Sequence, residues 1–285
     1  MRLIRNLLFL FAAIFIFENI NISEAKAADC TLTSGVYSAS EVTSGACQGT
    51  PDKYEITIYE LYLCTSAPTA PTTTTAVDLD AGGCVLTFNN ASGSAASVTQ
   101  NSSLNLGGSF TRPANNTYTH GYAKMNNTFG ITASIQLDGN VTGQTGGTGT
   151  YCGTVSGSGT MGSNSTLSDT TICSTSAVTA AKYTITMTSF NSSSFVATGS
   201  ASNINGTSAS ITGYMIDTNG YLSTGDSDSD KLHGLVQFAD SVVFTDSITS
   251  VTMSFNVGSG MSLYPDSNGK LTMDSGPFQA IITAQ

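Results

Sequence analysis

The chain has 285 residues, with nine Lys and Arg against nineteen Asp and Glu, and a formal charge of −10. That balance excludes a nucleic-acid binder, whose affinity rests on clustered Lys and Arg along a phosphate backbone, and it argues equally against docking on anionic lipid. Trp is absent and Ser, Thr, Gly and Asn dominate, yet 13 Phe, 11 Tyr and many Ile and Val suffice for a core, which excludes disorder throughout.

At the N-terminus Arg2 and Arg5 flank an apolar run from Leu7 to Phe17, and a polar stretch leads to Ala25-Lys-Ala27. This is the pattern of a secretory signal peptide over residues 1–27, with cleavage expected after Ala27. The run is too short for a bilayer, which takes about 20 helical residues, and no later stretch approaches it. The expectation is an exported chain with no transmembrane segment once processed, in the periplasm, at the cell surface or outside the cell. Asp29 before Cys30 argues against a lipid-modified cysteine, and loss of the apolar segment on cleavage excludes a type IV pilin. Removing residues 1–27 leaves six basic side chains and makes the charge one unit more negative.

All the cysteines, Cys30, Cys47, Cys64, Cys84, Cys152 and Cys173, lie beyond that point. An even count in an exported chain predicts disulfides, and without a C-x-x-C pair neither zinc nor thioredoxin-like chemistry is expected. Pairing between sequence neighbours is favoured: Cys30 with Cys47, Cys64 with Cys84, Cys152 with Cys173. Each would close a loop of about twenty residues and stabilise by about 3 kcal/mol in the chain-entropy model.

Between Ala28 and Pro51 only short apolar pieces such as Val36-Tyr37 occur, so an edge strand or a tethered arm is expected. Lys53 to Cys64 is then the longest run of strand formers. Tyr54, Ile56 and Ile58 alternate with Lys53, Glu55 and Thr57, and the phase then slips to Leu61 and Leu63, which predicts a β-bulge near Tyr59-Glu60. Thr65 to Thr75, rich in Pro and Thr, reads as an extended excursion rather than packed structure. Val85 to Phe88 resumes as a strand. Tyr118 to Met125 and Phe129 to Leu137 read as a hairpin turning at Asn126-Asn127.

In the second arm of that hairpin Phe129, Ile131, Ala133, Ile135 and Leu137 alternate with polar residues and glycine. Burying its four large apolar side chains gives at most roughly 6 to 12 kcal/mol, while ordering some ten residues costs on the order of 10 to 20. The arm therefore needs partner strands and a second apolar layer, which is the argument for a sandwich.

Residues 141–166 are Gly, Ser and Thr with little apolar content, and read as a boundary or a long surface loop. Strands are expected again at Tyr183 to Met187, Phe195 to Ala197, Ile211 to Ile216, Leu235 to Phe238, Val242 to Phe244, Val251 to Val257 and Phe278 to Ile282. Turns are expected at Asp217-Thr-Asn-Gly220 and Ser267-Asn-Gly269. No window predicts an amphipathic helix of ordinary length.

The halves echo each other: Cys30, Cys47 and Lys53-Tyr-Glu-Ile-Thr match Cys152, Cys173 and Lys182-Tyr-Thr-Ile-Thr in order, and both histidines occur as His-Gly. Two tandem sandwiches, 28–150 and 151–285, would explain this; one larger sandwich with an elaborated edge is the alternative. The fold class in either case is all-β, an antiparallel, disulfide-stapled Greek-key sandwich. Pro51-Asp-Lys-Tyr-Glu-Ile-Thr-Ile, followed by Pro113-Ala-Asn-Asn-Thr-Tyr-Thr-His120, resembles exported bacterial β-sandwich surface domains of transthyretin-like topology. Those domains pair a P-x-x-Y-x-I-x-I strand with a later G-x-Y strand, and here Asn115-Asn116 stands where the glycine is expected. The resemblance implies the fold class and transfers no functional residue.

For hydrolysis the chain offers no G-x-S-x-G elbow and no spare thiol, and only His120 and His233 as bases, each in a strand-like context. Glu55 and Glu60 share a strand but fall on opposite faces by strict alternation, unless the bulge realigns them for glycoside chemistry. Asp226, Asp228 and Asp230, with Asp217 and Asn219 upstream, place carboxylates within reach of one structural Ca²⁺, the sole cofactor the sequence raises; a solvated acidic loop is the other reading. Lys231 and Gln237 depart from the EF-hand pattern. Asn90, Asn140 and Asn191 head sequons that so Asn-, Ser- and Thr-rich a chain contains by composition.

The expected function is non-enzymatic: an exported structural or adhesive surface protein whose partner is a surface glycan, a protein or its own copies. A Ca²⁺-dependent carbohydrate-binding module is the alternative, weakened by the lack of Trp, and an extracellular hydrolase is a third.

Overall fold

A computed structural model describes residues 29–99, 106–163, 165–190, 194–202, 208–248, 251–276 and 279–284. The expected signal peptide, and with it Asn191 and Phe278, lies outside these residues. In chain order the elements are β1 (Leu32–Thr33), β2 (Val36–Tyr37), the single-turn helix α1 (Ala39–Ser44), β3 (Cys47–Gly49), β4 (Lys53–Cys64), β5 (Cys84–Val98), β6 (Ser109–Phe110), β7 (Asn116–Asn126) and β8 (Thr128–Thr132). Then follow β9 (Ser134–Thr142), β10 (Thr148–Thr154), β11 (Gly157–Met161), β12 (Thr171–Ser174), β13 (Tyr183–Met187) and β14 (Val196–Ser202). The last are β15 (Ser208–Ile216), β16 (Lys231–Phe244), β17 (Val251–Asn256), β18 (Met261–Pro265), β19 (Leu271–Ser275) and β20 (Gln279–Ala284). The molecule is all-β.

β4 is the axis of the largest sheet. Tyr54, Ile56, Ile58, Leu61 and Leu63 are buried, and the register shifts between Ile58 and Glu60 against both neighbours, the bulge that the phase slip predicts. β5 pairs along one edge of β4. On the other edge lie both β7, with Met125 opposite Ile58, and β8, with Gly130 opposite Glu55. β7 and β8 therefore run end to end, and the hairpin expected at Asn126-Asn127 does not form.

Asparagine signals a turn because its short amide can bond its own backbone, but Asn127 bonds β13 and the loop before β16. Its Nδ2 donates to the Met187 carbonyl at 2.9 Å and to the Ser229 carbonyl at 3.2 Å, and its own carbonyl accepts from the Met187 N–H at 2.8 Å. At this buried residue the sheet forks. β13 and β11 continue beside β8, while β16, β15 and β14 continue beside β7. Asn127→Ala leaves two carbonyls without their donor, and we expect a loss of about 2 kcal/mol. A urea midpoint shift worth less than about 0.5 kcal/mol at unchanged slope would contradict this role.

The arm from Phe129 to Leu137 keeps its alternation and changes sheets at Ala133. Phe129 and Ile131 enter the main core with Tyr54, Ile58, Phe88 and Ile185, while Ala133, Ile135 and Leu137 enter a second core with Leu263, Leu271 and Met273. That second core lies between a five-stranded sheet, ordered β1-β2-β9-β10-β12, and a three-stranded sheet, ordered β19-β18-β3. Residues 150 and 151, drawn as a boundary, fall inside β10, and β16 from the second half pairs with β7 from the first. Strands from the two halves thus share sheets.

Residues 141–166, read as a loop, contain β10 and β11. Backbone ladders need no apolar side chains, and here glycine permits the approach: a Cβ at Gly149 would overlap the Ser174 carbonyl. The Pro/Thr excursion is also ordered. Pro68 and Pro71 are buried, Thr69 and Asp78 exchange backbone hydrogen bonds, and Val77 and Leu79 pack over the sheet on Cys64, Tyr122, Tyr214 and Ile216. Proline fixes an extended path that here lies flat on the sheet as a flap. All three disulfides join sequence neighbours: Cys30–Cys47, Cys64–Cys84 and Cys152–Cys173.

Candidate functional site

The ionisable side chains of the large sheet gather on the outward face of β4. Glu55 holds Lys53 Nζ at 2.6 Å and Lys182 Nζ at 3.0 Å, and the Lys53 hydrogen bond leads in lowering its pKa. Beside this pair is a polar groove of about 360 Å³ lined by Glu55, Thr57, Asn126, Thr128, Lys182 and Thr184. Beyond the bulge, Glu60 takes Lys124 Nζ at 2.6 Å and the Tyr62 hydroxyl at 2.6 Å. Burial works to raise the Glu60 pKa, but these two bonds outweigh it and the net shift is downward. A glycosidase acid needs a carboxyl raised above its usual range. Both glutamates are shifted the other way.

The flap encloses a second part of the same network. Glu60, Lys124, His233 and Tyr214 stand in one cross-strand row through β4, β7, β16 and β15. The Tyr122 hydroxyl lies 2.9 Å from His233 Nδ1, and the two rings meet edge to face at 5.6 Å. His233 is 6% exposed, and burial, reinforced by Lys124 and Lys231, pushes its pKa down to about 3. Its imidazole is therefore neutral. His120, half-buried, bonds Thr119 Oγ1 through Nδ1 at 2.8 Å, and burial lowers its pKa as well. Each histidine is bonded to a hydroxyl of the sheet: Tyr122 with His233 ties β7 to β16, and Thr119 with His120 lies within β7.

The aspartate loop is folded on itself. Asp228 accepts from Thr224 N and Oγ1 with one oxygen and from Gly225 N with the other, and these bonds outweigh burial in lowering its pKa. Asp230 pairs with Lys231 at 2.6 Å, and Asp217 accepts from the N–H groups of Asn219 and Tyr221 to close its turn. Among the described residues no group of three His, Cys, Asp or Glu side chains is gathered for a cation. Of the sequons, Asn90 donates to the Gly107 carbonyl and Asn140 is exposed.

One polar cluster has no local sequence signal. Gln48, Ser262 and Asp274 stand opposite one another across β3, β18 and β19, with Tyr264 and Thr272 in the next row of that face. Asp274 is buried, accepts from the Tyr264 hydroxyl at 2.7 Å and also bonds Ser262. Burial raises its pKa to about 7. Tyr54 reaches the same place, its hydroxyl bonded to Ser275 Oγ. Ser262, Tyr264, Thr272 and Asp274 meet in the β18–β19 pair, and Gln48, more than 200 positions earlier, joins them only through the pairing of β3 with β18.

Among the described residues no helix is long and apolar enough to cross a membrane. A scan against family models finds no match, and searches among curated proteins and among solved structures find none either.

Proposed function

We propose that this is an exported, non-enzymatic surface protein of structural or adhesive type, acting through recognition or assembly. The observation that carries the reading is the direction in which the candidate catalytic groups are shifted: Glu55 and Glu60 downward, His233 down to about 3, all bound to neighbours in the sheet. Acid–base catalysis near neutrality asks for the opposite. Three disulfides fit an oxidising compartment, outside the cytosol. The resemblance of the Pro51 to Ile58 strand to exported β-sandwich domains points the same way.

The test is a paired one on the oxidised, exported chain. Beads coated with it are exposed to a glycan panel and to intact bacterial cells, while the free protein is assayed on ester and glycoside substrates. We expect retention of glycan or cells, or self-association, with no turnover. Turnover abolished by His233→Gln or Glu60→Gln would replace this reading with a hydrolase.

A further inference from the structure

The sheets end in several strand edges, and the chain covers some of them with its own backbone or side chains. The outer edge of β11 is met by residues 165–166, where Thr166 N donates to the Thr160 carbonyl at 3.0 Å and Thr160 N donates to Thr166 Oγ1 at 2.9 Å. On β12, Thr145 N donates to the Thr171 carbonyl and Cys173 N to the Gly146 carbonyl. On β19, Gln144 N donates to the Leu271 carbonyl and Met273 N to Thr170 Oγ1. On β3, Cys30 N donates to the Gln48 carbonyl. Such covering is how proteins keep a sheet from growing.

β14 is different. It closes one prong of the ten-stranded sheet, runs seven residues, and among the described residues pairs only with β15. It carries neither proline nor lysine, and its register with β15 is continuous from Val196 to Ser202, without a bulge. Charge favours the same place. Residues 183–216 contain no Asp, Glu, Lys or Arg, in a chain of net charge −10. Two copies repel one another over most approaches and meet no like-charge penalty here.

We propose that a second copy of this chain docks on β14, the two strands pairing antiparallel about a twofold axis at Gly199, which continues the sheet from one molecule into the next. Gly199 is the middle residue of the strand and the position its Cβ would take is open, with no atom within 4 Å. Twofold pairing sets each residue against its symmetry mate, so Gly199 faces Gly199. This inference deepens the assembly side of the function proposed above and rests on it.

Light scattering behind size exclusion on the full chain from an exporting host, at about 50 µM, a concentration at which a micromolar complex is mostly formed, reads the dimer. Gly199→Lys and Gly199→Asp each set like charges face to face, and we expect the dimer to weaken roughly a hundredfold in either variant. Mixing the two variants restores it, because Lys then faces Asp. Wild type that is monomeric at this concentration, a dimer that survives both substitutions, or no recovery on mixing would each overturn the proposal. A monomer that still retains glycan or cells overturns the docking on β14 and leaves the adhesive reading standing.

Discussion

Asp274→Asn makes the protein lose about 2 kcal/mol of stability as the pH falls from 6.5 to 4.5, whereas the wild type changes less over that range. The argument is one of opposed signs. Asp274 has its folded pKa raised to about 7 by burial, above the usual carboxylate value, so its contribution is present at low pH and is lost as pH rises through 7. His233 has its folded pKa lowered to about 3, again chiefly by burial, so its contribution is present above the usual histidine value and is lost as pH falls from there. Between about pH 4.5 and 6.5 the folded state holds one proton more than the unfolded at Asp274 and one fewer at His233. The two slopes oppose one another, and the lowered pKa of His120 adds to the His233 side.

Removing either group exposes the other. Asp274→Asn keeps an acceptor for the Tyr264 hydroxyl and leaves the His233 slope alone. His233→Gln keeps a partner for Tyr122 and leaves the Asp274 slope, so that variant loses a similar amount as pH rises over the same window. Below about pH 4.5 the lowered carboxyls of Glu41, Glu55, Glu60, Asp228 and Asp266 add their own loss on acidification, which sets the lower limit of the window. Urea titrations of the three proteins at pH 4.5, 5.5 and 6.5 check the scheme. Parallel profiles for wild type and Asp274→Asn would refute it.

The second large effect is expected at the Cys64–Cys84 bridge, where Cys64→Ala with Cys84→Ala costs about 3 kcal/mol. The bridge closes the flap at its base, where β4 and β5 pair, and the flap covers Tyr122 and Tyr214 with Val77 and Leu79. Loss of the bridge acts first through the unfolded chain, whose loop is no longer closed. It also frees the flap to lift and hydrate His233, so the double variant should bind protons at that histidine closer to pH 6.5, visible as a shifted imidazole resonance. An unchanged melting temperature in the double variant would contradict the stabilising role, and an unchanged resonance the covering role.

The parts of this fold that the sequence made legible are those written in the phase of its apolar residues. The bulge near Glu60 is one: Ile58 and Leu61 must both face the core, and only an extra residue lets them. The disulfides are another, because short separations leave neighbour pairing the simplest closure. Three features were hidden for distinct physical reasons. Asn127 carries a turn residue's chemistry, but its amide bonds a strand some sixty positions away and a loop some hundred positions away. β10 is held by close backbone contact at glycine, which leaves no apolar signal. The rows ending at His233 and Asp274 exist only across paired strands, and neither residue has a neighbour in sequence that marks it.

The three disulfides close short loops, and this bears on what happens when the chain is pulled by its ends. Each bridge bypasses some twenty residues, or about 60 to 70 Å of contour that tension cannot draw out. The flap over His233 is one of these sheltered lengths. Strands outside the loops can peel while the stapled segments stay short, so under oxidising conditions the molecule yields less length than its residue count allows.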